Sequence, residues 1–180
     1  MASNDTRHMD LPEPDAERIS RQRTPPARFC SESDGSWEHY PNTVLCFETL
    51  GFEIDLRNEI NVMAAEWLAK VMSGGPFCVI TPDNAMGRRE TAEANRESRS
   101  RLLAVMDHLA IARTACHGRS PDSAHQECGW AMEVPRDVAA FIASRFGQSA
   151  FFYYDGSGFW LEPALVRAER RALPLSGGNL

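Results

Sequence analysis

The sequence predicts an α+β domain: one mixed, mostly antiparallel sheet with helices packed against it. Three observations carry this. The elements follow one another as strand, strand, helix, strand, helix, strand, strand, helix, strand, strand, which is not the regular alternation of a doubly wound fold. The run FCVIT at 77–81 is apolar on both faces, as a central strand covered on two sides must be. Near the end, SAFFYYD and GFWLE flank Gly-Ser-Gly, a hairpin signature.

Element by element, residues 1–36 carry Pro12, Pro14, Pro25 and Pro26 among charges with little apolar periodicity, and they read as a flexible arm. A single domain is expected over 37–170 and a flexible tail over 171–180. TVLCFET (43–49) and FEIDL (52–56) read as two short strands joined at Gly51. The helix that follows places Ile60, Met63, Ala64, Trp67 and Val71 on one face, and Gly74, Gly75 and Pro76 stop it. After the apolar strand, a helix from about Glu90 to Ala110 buries Leu102, Leu103, Met106 and Leu109 or Ala110. Residues 111–128 read as a short strand and a polar loop, and GWAMEV as a half-buried strand. Pro135 opens the last long helix and Gly147 closes it. In the hairpin, alternation sends Phe151 and Tyr153 to one face and Phe152 and Tyr154 to the other. PALVRAERR reads as a short helix before a frayed end.

Composition narrows the function classes. The chain has 180 residues, enough for one ordinary domain, and 43% of them are hydrophobic. No apolar run approaches the roughly 18 residues of a membrane helix, and the first thirty residues lack the apolar core of a secretory signal, so cytoplasmic residence is the expectation. A net charge of -6 argues against a dedicated nucleic-acid binder. Only Lys70 is a lysine among the 19 basic residues; the rest are arginines, which can grip carboxylate or phosphate with two donors.

The chemistry concentrates around the end of the apolar strand. At about 100° per residue, Asn95 and Arg99 lie within roughly 40° of each other and of the Leu102, Leu103 and Met106 stripe. The face that is apolar in the second half of that helix is therefore polar in its first half. That first half begins where the strand delivers Thr81, Asp83 and Asn84. Unpaired buried polar groups cost about 1–3 kcal/mol each, so Asn95 and Arg99 must find partners. In one account Asn84 and Asn95 pin the loop and Arg99 pairs with Asp83 or Glu127. In the other, backbone N–H groups at the helix start together with Arg88, Arg89 and Arg99 form a pocket for a carboxylate or phosphate. Neither GxxxxGK nor GxGxxG is present, and no cofactor is expected.

Cys116, His117, His125 and Cys128 fall within 13 positions but lack paired metal-ligand spacing, so no metal site is assigned. Glu127 could serve as a general base if burial raised its pKa, or could be the ion-pair partner of Arg99 or Arg113. Gln148, at a helix end, could orient a ligand or satisfy free helix carbonyls.

FCVITPDNAMG, then EAN with RLL, then HQEC, then RFGQSAFFYY, resembles over roughly residues 42–162 a family of small bacterial proteins known as domain of unknown function 3293. Its members typically show Thr-Ala-Trp-Asn-Pro after an apolar strand, an Asn early in the next helix, a Glu-led step and a Gly-Gln-Ala-like step before the last hairpin. The matching positions are Thr81, Asn84, Asn95, Glu127 and Gln148. Pro82-Asp83 replaces the usual Ala-Trp, Ala85 the proline, and Cys128-Gly129 the residues after Glu. The resemblance implies no activity.

Two functions follow as expectations. The first is a binding or regulatory module contacting another protein or a small anionic ligand through Thr81, Asn84, Arg88, Asn95, Arg99 and Gln148. The second is a small enzyme with Glu127 as acid or base and Asn84, Gln148 and Arg99 positioning an anionic substrate. Oligomeric state is not legible.

Overall fold

A computed structural model describes residues 37–175; the arm expected over 1–36 lies outside them. Eight strands form one sheet: β1 (Val44–Phe47), β2 (Phe52–Asp55), β3 (Phe77–Ile80), β4 (Arg113–Arg119), β5 (Gln126–Met132), β6 (Ala150–Tyr154), β7 (Phe159–Pro163) and β8 (Arg171–Leu173). Their order is β2-β1-β4-β5-β3-β6-β7-β8. Each of the seven ladders is antiparallel, so the parallel component implied by a mixed sheet is absent among the described residues. Three helices accompany the sheet: α1 (Val62–Leu68), α2 (Ala92–His108) and α3 (Arg136–Arg145).

β3 lies between β5 and β6, and all four of its residues are buried. Pleating divides its side chains between two cores. Phe77 and Val79 join Leu45, Phe47, Phe152, Tyr154, Phe159, Leu161 and Leu68 of α1. Cys78 and Ile80 face the other way, into a core with Phe151, Met132, Leu102 and Met106 of α2, and Ala139, Ile142 and Ala143 of α3. The aromatic hairpin alternates as its sequence predicts. Phe152 and Tyr154 pack in the first core and Phe151 in the second.

The helices start where capping chemistry allows. Asn61 accepts from the Ala64 N–H at the start of α1, and Thr91 does the same for Ala94 in α2. In α2 the fully buried stripe is Ser98, Leu102 and Met106, one residue per turn.

Four local readings need correction. Residues 111–128 contain the expected strand, but the loop is confined to 120–125: β4 and β5 pair over seven positions, which makes Glu127 and Cys128 strand residues. On α1, Met63 is 80% exposed while Leu68 is fully buried, so the buried face is rotated toward Ala64 and Leu68. On α2 the buried stripe stops at Met106; Leu109 is half exposed and Ala110 is exposed. Among the described residues no helix forms after β7, because the N–H groups of Ala164, Leu165 and Val166 all point at the Ser149 carbonyl. The chain then enters β8, which carries the sheet past the boundary expected at 170 and into the segment read as a tail.

Candidate functional site

Beyond Ile80 the chain must leave the sheet. The β3–β5 ladder ends at the Ile80–Trp130 pair, and Pro82 has no N–H with which to extend it. Gly129 sits beneath the departing chain. A Cβ there would lie 2.2 Å from the Ile80 carbonyl oxygen and 2.8 Å from Thr81 Cα, so only glycine allows the two backbones to cross. Asn84 then takes the left-handed conformation (φ 51°, ψ 51°), which asparagine tolerates better than most residues. The Met86 N–H reaches the Gly147 carbonyl at 2.7 Å and ties the loop to the end of α3.

Around this turn the polar side chains form one network. Asn84 and Asn95 are joined twice: Asn84 N–H donates to Asn95 Oδ1 at 2.9 Å, and Asn95 Nδ2 donates to Asn84 Oδ1 at 3.2 Å. Asn84 Oδ1 also accepts the Glu90 N–H at 3.0 Å. Glu127 receives Asn84 Nδ2 at 2.8 Å on Oε1 and Thr81 Oγ1 at 3.0 Å on Oε2. His125 Nε2 lies 3.2 Å from the same Oε1. Gln148, buried, donates from its side chain to the Asp83 carbonyl at 2.9 Å and so grips the loop, while its backbone N–H closes the helix on the Ala143 carbonyl.

Asp83 anchors the other half. Its residue exposure is only 4%; Oδ2 accepts Arg99 Nη1 at 3.0 Å and the Cys128 N–H at 3.2 Å, while Oδ1 has no hydrogen-bond partner. Burial pushes this carboxyl above its ordinary range, opposed by the Cys128 N–H and the Arg99 charge. Arg99 remains 28% exposed along its side chain, held at one nitrogen and open at the rim.

Six of the seven residues singled out in the sequence are thus brought together: Thr81, Asn84, Asn95, Arg99, Glu127 and Gln148. Arg88 is not. It is exposed on the loop and joins no ion pair among the described residues. Glu127 pairs with neither arginine proposed for it, because Arg99 goes to Asp83 and Arg113 to Asp107. Asp83 and Gly129 are the residues that sequence reasoning undervalued. A glycine inside a strand pattern was the available signal for the second.

The Cys/His segment separates across the β4–β5 hairpin. Cys116 is buried in the sheet core, whereas His117 stands opposite the exposed Cys128. Burial drives the Cys116 thiol upward in pKa, as it does Cys78. Among the described residues no group of three or more His, Cys, Asp or Glu could hold a metal ion, and no helix is long and apolar enough to cross a membrane.

Residues 80–151 match a family model described as "Protein of unknown function (DUF3293)". The match is narrower than the 42–162 suggested by the motifs, yet it spans the whole network from Thr81 to Gln148. The chain matches no curated protein and no solved structure.

Proposed function

Since residues 80–151 match that family's model, whose description assigns no activity, we propose that the chain is a binding or regulatory module recognising another protein or a small anionic ligand at the strand-end network. The observation that carries this reading is how the hydrogen-bonding capacity is spent. Asn84, Asn95, Thr81 and Gln148 direct theirs inward to brace the loop. Arg99 alone combines a fixed anchor, Asp83, with a partly open guanidinium. A guanidinium held in place before binding loses less freedom when it grips a carboxylate or phosphate.

The enzyme reading draws on the contact between Glu127 and His125, a carboxylate and an imidazole at 3.2 Å. Weighing against it, the Asn84 amide bonds to Glu127 itself, and Gln148 is too buried to meet a substrate.

The test is residue-specific. Succinate and inorganic phosphate are titrated separately while the Arg99 Nε resonance is followed by NMR. A saturable shift is expected with at least one of them, and Arg99→Ala should weaken binding about tenfold or more, about 1.4 kcal/mol. Native mass spectrometry of the purified protein covers the macromolecular partner: a stoichiometric complex lost in Arg99→Ala would also support the module. An Arg99 resonance unmoved by tens of millimolar of either anion, with no complex retained, would overturn the proposal.

A further inference from the structure

A second polar constellation lies at the opposite end of α3, about 15 Å along that helix at 1.5 Å per residue. An open cleft of about 460 Å³ is lined by Arg136, Asp137, Ala140, Glu162, Pro163 and Arg170. Cross-strand pairing explains its floor. Glu162 stands opposite Phe151, and Trp160 opposite Tyr153, so Glu162 and Trp160 share the helix-side face of the sheet. The Arg170 guanidinium lies over the Trp160 ring, 4.2 Å from its centroid, which fixes one wall. The other wall is the first turn of α3. Its N-cap is Pro135, which offers no capping side chain to the N–H groups of that turn.

Glu162 is the unusual member. Its side chain is 9% exposed, yet Oε1 has no hydrogen-bond partner. Arg136 Nη1 at 3.5 Å and Arg170 Nη1 at 3.7 Å are near enough to balance its charge but do not make hydrogen bonds to it. Both arginines are about half exposed, with side-chain exposures of 51% and 46%. The cleft therefore pairs two partly open guanidinium forks with one buried acceptor that lacks a donor. Leaving such an acceptor unmet is costly. Asp137, on the same turn, is exposed and its charge is screened by solvent.

We infer that this cleft binds an oxyanion that still carries a proton, with inorganic phosphate as the fitting species. The anionic oxygens accept from Arg136 and Arg170, and the remaining P–OH donates to the Glu162 carboxylate. A fully deprotonated oxyanion such as sulfate has only acceptors to offer and meets Glu162 as a repulsive neighbour. A phosphate monoester loses its last acidic proton above a pKa of about 6, so at alkaline pH it behaves like sulfate. The inference does not depend on the strand-end site, because Arg99 takes no part in it.

The experiment titrates the full chain with phosphate, sulfate and methyl phosphate at pH 8, reading the Arg136 and Arg170 Nε resonances by NMR. Phosphate should bind saturably, with sulfate and methyl phosphate at least about tenfold weaker. Arg136→Ala combined with Arg170→Ala should abolish phosphate binding while leaving any Arg99 response intact. Glu162→Gln, nearly isosteric, should admit sulfate and close the gap, because its amide can donate. Absence of phosphate binding would overturn the inference. So would equal affinity for sulfate or methyl phosphate in the wild type, binding that survives loss of both arginines, or a gap unchanged in Glu162→Gln.

Discussion

Asn84→Ala probes the loop network most directly. The side chain accepts from Glu90 N–H and Asn95 Nδ2 and donates to Glu127, at 3.0, 3.2 and 2.8 Å. At about 0.5–1.5 kcal/mol net per bond, and with Glu90 N–H able to turn to water, the loss is about 2–3 kcal/mol. Alanine must also hold the left-handed backbone at φ 51°, which adds about 1 kcal/mol. The sum is about 3–4 kcal/mol, or roughly 10 °C in melting temperature for a domain of this size. Asn84→Gly separates the two contributions: it loses the same bonds but accepts the backbone, so it should be about 1 kcal/mol more stable than the alanine variant. Urea unfolding followed by tryptophan fluorescence measures both, and an unchanged m-value certifies that only stability has moved. An alanine variant within about 0.5 kcal/mol of wild type would refute the network's role. Identical stabilities of the two variants would refute the backbone part of the reasoning.

Two other consequences can be measured. Gly129→Ala forces a Cβ to 2.2 Å from the Ile80 carbonyl, so it should cost about 3 kcal/mol or more and be visible as a large fall in melting temperature. Asp155 titrates between 3.8 unfolded and about 2 folded: burial pushes it up, but hydrogen bonds from Ser157, Gly158 and Trp160 together outweigh that. Because the folded value is the lower, its stabilisation is complete above the unfolded pKa and is lost as pH falls through about 2. Screened by solvent, this is worth about 1 kcal/mol, and Asp155→Asn should remove that part of the acid dependence in urea unfolding at stepped pH.

The resemblance of the motifs and the helix phase meet at Asn95 for a physical reason. A helix of fixed pitch cannot turn Leu102 and Met106 inward without also turning Asn95 and Arg99 toward the same layer. The network itself was foreseen only in part. Asn84 with Asn95, and Arg99 with Asp83, follow from proximity along two adjacent elements. Glu127 reaches Thr81 and Asn84 only because residues 111–128 fold into a paired hairpin, and their charges and small residues disguised them as a loop. Arg88 looked equivalent to Arg99 in the sequence, yet one turn of chain places it outside, where its guanidinium joins no ion pair among the described residues.

Periodicity, turn chemistry and the doubly apolar strand were enough, read along the chain, to establish an α+β domain and to mark the end of β3 as its polar focus. Local rules of that kind reach only a few residues in either direction. The burial of Asp83 against the Cys128 N–H and the crossing over Gly129 were decided by contacts between segments some forty-five residues apart. Tertiary structure also decided the meeting of Arg136, Glu162 and Arg170, because a strand, a helix start and the segment before β8 become neighbours only when the sheet is assembled.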